Sequence, residues 1–266
     1  MGVDLEKTKD ELYEEYESLL LKRDQLEREA GSLQISYTKT FGELLNAVFE
    51  KKIECIRKKK EIAYYQAALN HGKSVDPDEL GRIMEKEMAS YNHDLQKMLS
   101  DYKIAMDSKT IGSVDMLRAK KLYRRIAKRI HPDINPWTSG RMELLDLWQR
   151  TVIAYHTGNV KELEEVEVLA KKTMESLGLD SFEIEIPDIE EKIDRVEGEI
   201  NEILTTEPYT YEKLLNDPDM VQKKKDDLNK ELEEYKSYAE ELDEALRQLI
   251  AADGVSMLWK VQDHDN

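Results

Sequence analysis

Leucines recur every seven residues at the start of the chain, at Leu5, Leu12, Leu19, Leu26 and Leu33. Tyr16, Ala30 and Tyr37 fill the intervening seam positions, and Lys9 and Arg23 interrupt that second set. A seven-residue apolar repeat predicts a coiled-coil helix, here with an imperfect seam suited to more than one partner helix. After Leu33 the stripe shifts through Phe41, Leu44, Val48, Ile53 and Ile56, a change of phase like a stutter. No glycine or proline falls between Gly42 and Gly72. A helix from Leu5 to Leu69 would extend ~100 Å at 1.5 Å per residue, and one that long needs partners to be stable.

His71 to Pro77 reads as a helix stop and a turn. A second helix is predicted from Asp78 to Asp107, with Ile83, Met84, Met88, Leu95 and Tyr102 among its apolar positions. The stretch from Ser108 to Ser113 breaks it, and Ser113 or Asp115 suits the N-cap of the next helix. Two further seams lie near the end of the chain. Ile186, Ile189, Ile193, Val196, Ile200 and Ile203 form one, and Leu228, Leu232, Tyr235, Ala239, Leu242, Leu246 and Leu249 the other. The expected fold is all-α, with a coiled-coil helix over 1–76, a connecting helix over 77–108, and a central unit over 109–178. C-terminal coiled-coil helices follow over 185–252, with a flexible tail over 253–266. The simplest geometry pairs the two ends as an antiparallel stalk; pairing with a second copy of the chain is the alternative.

The central unit carries the most informative pattern. Ala119, Leu122, Tyr123, Ile126, Ala127 and Ile130 form an apolar stripe at helical spacing. Between them lie Arg118, Lys120, Lys121, Arg124, Arg125, Lys128 and Arg129, with no acidic residue between Asp115 and Asp133. His131-Pro132-Asp133 follows at once. A residue before proline is pushed out of the α region, so the helix should end there. Thr138 or Ser139 suits the cap of the next helix, whose stripe is Met142, Leu145, Trp148, Val152 and Tyr155. A short loop between two amphipathic helices favours an antiparallel hairpin and puts His131 to Asp133 at its exposed tip.

Composition agrees with helices: 36% of the 266 residues are charged, against 11 glycines, 6 prolines and 3 phenylalanines. The net charge of −17 argues against general nucleic-acid binding and makes the basic helix a local reversal of sign. Cys55 is the single cysteine, which excludes an intrachain disulfide and a multi-cysteine zinc site. The first residues lack the pattern of a signal peptide, and no apolar run is long enough to span a membrane, so a cytoplasmic location is expected. The sequence offers no Gly-rich phosphate loop, metal cluster or nucleophile–base pair, so no enzyme activity, cofactor or metal is expected.

The run Lys120-Lys-Leu-Tyr-Arg-Arg-Ile-Ala-Lys-Arg-Ile-His-Pro-Asp-Ile-Asn-Pro136 resembles the second helix and His-Pro-Asp loop of J-domains, the DnaJ-type co-chaperone family. Ala154-Tyr155 resembles the Ala-Tyr pair of that family's third helix. The resemblance covers about 113–156. It departs from the family where no Leu-Gly follows Asp101-Tyr102, and the Gly/Phe-rich linker and zinc module are absent. The resemblance implies a divergent co-chaperone that binds a DnaK-type heat-shock chaperone and stimulates its ATP hydrolysis. His131, Pro132 and Asp133 would engage that partner, and Lys121, Arg124, Arg125, Lys128 and Arg129 would meet an acidic face of it. The coiled coils would serve self-association or client binding. Two other readings stand beside this one: a coiled-coil scaffold with a vestigial loop, and nucleic-acid binding by the basic helix.

Overall fold

The computed structural model describes residues 8–108, 112–179 and 186–262, with side chains except at Ser113 and 255–262. Leu5 of the first seam and His264 lie outside these residues. Every regular element among the described residues is a helix, so the fold is all-α. α1 (Lys9–Asn70) starts on a capping box: Glu11 N donates to Thr8 Oγ1 at 3.3 Å, and Thr8 N donates to the Glu11 carboxylate at 2.8 Å. It stops where Gly72, at φ 63°, lets Lys73 N reach back to Ala68 O. α2 (Pro77–Asp107) begins on Asp76, whose carboxylate accepts from Asp78 N and Glu79 N. The remaining elements are α3 (Ser113–Ile130), α4 (Pro136–Ser139), α5 (Met142–Thr157), α6 (Val160–Leu177), α7 (Ile189–Thr205), α8 (Tyr211–Leu215) and α9 (Pro218–Gln262).

Several local details differ from the sequence expectation. Gly112 stands at the N-cap of α3, without a side-chain cap. Thr138 and Ser139 do not cap α5 but form the single-turn α4, because Pro136 has its φ preset for a first helical position. α5 buries Leu144, Leu147, Thr151, Ala154 and Tyr155, whereas Met142 is 81% exposed. Its apolar face is thus rotated from the predicted stripe. α9 passes through Gly254, a residue that weakens a helix by about 1 kcal/mol without having to end it.

The chain divides into two compact units, 1–34 with 109–211 and 35–108 with 212–266. In the second unit α2 runs antiparallel to α1: Lys39 Nζ donates to Ser108 O at 2.9 Å, and Lys60 pairs with Glu87 at 2.7 Å. Gly42 is required there, because a Cβ would meet the Tyr102 ring at 2.5 Å. α9 runs parallel to α1, not antiparallel as expected. Cys55 Sγ donates to Tyr235 O at 3.4 Å, Lys58 meets Asp243 at 2.7 Å, and Val75 N donates to Asp253 at 3.4 Å. The reason is topological: α2 has already carried the chain back along α1, so the last helix starts again from the same end. Phe41, Val48 and Leu228 form one cluster of this seam, and Cys55, Ala239 and Leu242 another.

In the first unit α3, α5 and α6 enclose a core that includes Ala119, Leu122, Ile126, Leu144, Leu163 and Val166. Ring contacts fix the sense of α3 against α5: His131 meets Trp148, and Tyr123, two turns earlier, stacks on Tyr155, two turns later. These two helices are therefore antiparallel. The first turns of α1 are buried on two sides. Leu21 joins the α3–α5–α6 core, while Tyr16, Leu20 and Leu26 pack with Ile193, Val196 and Ile200 of α7. An interrupted leucine seam that serves two partner surfaces is what this position needs.

Candidate partner-binding site around the His-Pro-Asp loop

The 3.6-residue period of α3 turns Ala119, Leu122, Tyr123, Ile126, Ala127 and Ile130 inward, each no more than 4% exposed. The same period leaves Lys121, Arg124, Arg125, Lys128 and Arg129 outward and exposed. The helix ends at His131, which precedes proline and adopts an extended conformation, φ −65° and ψ 126°. The loop beyond it is closed by its own hydrogen bonds. Ile134 N and Asn135 N both donate to His131 O, at 3.1 and 2.7 Å, and Asn135 Nδ2 donates to Lys128 O at 3.3 Å. Ile134 is fully buried, inserted beside Tyr16, Leu20 and Val196.

The exposed tip expected from the sequence is not what forms. His131 is only 3% exposed, because the first turns of α1 cover the end of the hairpin. Its Nδ1 accepts from Asp133 N at 3.0 Å, which leaves the ring proton on Nε2, facing Asp24 Oδ2 at 3.5 Å. The ring lies 4.5 Å from that of Trp148. Both ring nitrogens of His131 are thus engaged within the chain, one by the Asp133 amide and the other facing the Asp24 carboxylate. Pro132 is half-buried, and Asp133 keeps 42% of its side chain exposed, 3.8 Å from Arg23 Nη1.

Asp24 is the residue that sequence reading missed. It is 7% exposed, yet it accepts from Tyr123 Oη at 2.6 Å and from Arg23 Nη2 at 2.9 Å. Burial alone would push its carboxyl up; hydrogen bonds from His131 and Tyr123, with the charge of Arg23 beside it, outweigh burial and hold it below the ordinary carboxylate value. The same arrangement raises the Tyr123 phenol, first through burial and then through Asp24. Arg23 also reaches Glu199 of α7 at 3.1 Å. Arg28, one turn further along α1, is 6% exposed; its Nε donates to Tyr155 O at 3.0 Å and its guanidinium lies 5.0 Å from the Tyr155 ring. The available signal was Arg23, a charge set in a leucine seam, where a polar residue marks a specific partner.

The predicted cations divide into two sets. Arg125 binds Glu167 through two nitrogens, Lys128 meets Glu17 at 2.8 Å, and Arg118 pairs with Glu164. Lys121, Arg124 and Arg129 make no ion pair among the described residues. A cavity of about 220 Å³ opens beside the loop, lined by Arg23, Asp24, Tyr123, His131, Asp133 and His156 among others. Its histidine at 156 is held below its ordinary pKa, first by burial and then by Arg28. No group of three side chains suited to a metal occurs among the described residues, and none of their helices is long and apolar enough to cross a membrane. Compared with known proteins, the chain matches no family model, no curated protein and no solved structure.

Proposed function

We propose that the α3–α6 unit is a divergent J-domain-like module, and that the chain is a co-chaperone rather than an enzyme. In this reading it binds a DnaK-type chaperone and raises that partner's ATPase rate. The observation that carries the reading is the union of a His-Pro-Asp loop, closed by hydrogen bonds of its own, with a helix whose outer face is cationic on a chain of net −17. Pro132, Asp133, Lys121, Arg124 and Arg129 supply the accessible part of the contact; rim charges of this kind set encounter rate and orientation. The helices of the second unit would hold a client or a second copy of the chain. The test is stimulation of a DnaK-type ATPase by the full chain and by Asp133→Asn. This exposed residue is chosen because a change at buried His131 would disturb the fold. Stimulation by the native chain that Asp133→Asn abolishes supports the reading; no stimulation by the native chain rejects it.

One observation favours a second reading. His131 is buried and occupied by Asp24, as a purely structural lock between α1 and the hairpin would be. A scaffold of that kind would leave chaperone ATPase rates unchanged. Nucleic-acid binding is less well supported, since Arg118, Arg125 and Lys128 are already paired with carboxylates.

A further inference from the structure

The first turns of α1 meet the candidate site with a charge pattern complementary to it. Glu17 lies on Lys128 at 2.8 Å, Asp24 faces His131 Nε2 at 3.5 Å, and Arg23 approaches Asp133 at 3.8 Å. Lys128, His131 and Asp133 thus each face a group of opposite or accepting character on α1, while Arg124 and Arg129 stay outside these pairs. The acidic residues Glu17 and Asp24 are seven positions apart on one helix, two turns on the same face. A carboxylate-bearing helix is the chemistry expected of an acidic partner surface, and here the chain provides it itself.

The seat is also imperfect. Arg28 Nη2 is buried without a hydrogen-bond partner, a group that weakens any packed arrangement that holds it. Glu17–Lys128 is a pair whose lysine is 60% exposed, so solvent competes with it. The charge complementarity makes the contact specific; Tyr16, Leu20 and Leu21 anchor it, and the unsatisfied Arg28 Nη2 and the solvent-open Glu17–Lys128 pair are where it can be loosened.

We propose that residues 9–34 of α1 form an intramolecular clasp that takes the place of a carboxylate-rich partner surface. His131 becomes available to that partner only when the clasp lifts away. The proposal rests on the co-chaperone reading for the identity of the partner, but not for the existence of the clasp. A binding-competent state that is only a fraction of the population weakens apparent affinity by that fraction. Loosening the clasp should therefore tighten binding without adding any contact.

The experiment uses the full chain and reads two quantities. One is the rate at which diethyl pyrocarbonate modifies His131, with exposed His71 and His93 as internal references. The other is the concentration that gives half-maximal stimulation of a DnaK-type ATPase. In the native chain His131 should react at least about tenfold more slowly than the two references, in keeping with a minor open population. Glu17→Lys/Asp24→Asn should raise the His131 rate about tenfold and lower the half-maximal concentration by a similar factor. Glu17→Lys alone leaves the Asp24 contact in place and should give about threefold in both; it serves if the double variant loses helicity. An unchanged His131 rate in the folded variants overturns the clasp, whatever the ATPase does. A raised His131 rate with no ATPase stimulation keeps the clasp and rejects the co-chaperone reading. An unchanged rate with full stimulation by the native chain does the reverse.

Discussion

Tyr123 donates its hydroxyl to Asp24 at 2.6 Å across 99 positions of sequence, and that bond ties the basic helix to the first turns of α1. Both residues are buried. A carboxylate in such a place is stable only while its donors are present, since an unmet buried charge loses its hydration with nothing in return.

Removing that hydroxyl should therefore destabilise the first unit. Tyr123→Phe keeps the ring stacked on Tyr155, at 4.1 Å between centroids, and deletes one donor to an ionised acceptor. We expect a loss of about 2 kcal/mol, typical of a charge-assisted hydrogen bond. Denaturant unfolding of the two proteins measures it. A loss of the same size in an Asp24→Asn background would show that the bond is not what the substitution removes.

The acid dependence follows from the direction of the Asp24 shift. Its folded-state pKa lies below the ordinary aspartate value of 3.8, so the folded form binds its proton less readily than the unfolded chain. Stability from this group is fully present above that ordinary value and is lost as pH falls through the lower folded pKa. The melting-temperature gap between native protein and Asp24→Asn should be constant from neutral pH to about 4 and should shrink below it. A gap that closes nearer neutrality would assign the effect to another group.

Leu163 tests the core that supports the loop. It is fully buried between α3, α5 and α6, so Leu163→Ala leaves a cavity and should cost about 2–5 kcal/mol. Leu177, at the end of the same helix and 40% exposed, should tolerate alanine with a change under about 1 kcal/mol. Equal effects at the two sites would mean that α6 is not packed as described.

Cys55 should behave as a core residue. Its thiol donates to Tyr235 O, and its pKa is raised by burial and then by Glu54. Native protein should react with iodoacetamide far more slowly than protein unfolded in guanidinium, because the thiolate is the reactive form. Comparable rates would place Cys55 at the surface.

Much of this architecture was legible in the residues themselves. The helix stop at Gly72, the start of α2 within one residue of Asp78 and the inward stripe of α3 all follow from local rules that act within a few positions. What was not legible depends on partners far away in sequence. Met142 and Leu144 are both acceptable on an amphipathic face, and only the position of α6 decides that Leu144 is inside. Whether α9 runs up or down α1 is equally invisible to a heptad count, which has no sense of direction. The burial of His131 was missed for the same reason. A His-Pro-Asp turn looks exposed until the helix bearing Arg23 and Asp24 is laid over it, and the only trace of that contact was a charge in a leucine seam.

The parallel course of α9 along α1 has a consequence for synthesis. Cys55 and Tyr235 are 180 positions apart, so the middle of α1 leaves the ribosome long before the helix that covers it. At about 5–20 residues per second, the apolar seam around Val48 and Cys55 waits roughly 10–40 s for its partner. Over that interval α1 is a nascent segment without α9 against it, and its apolar seam is open to premature association with other chains.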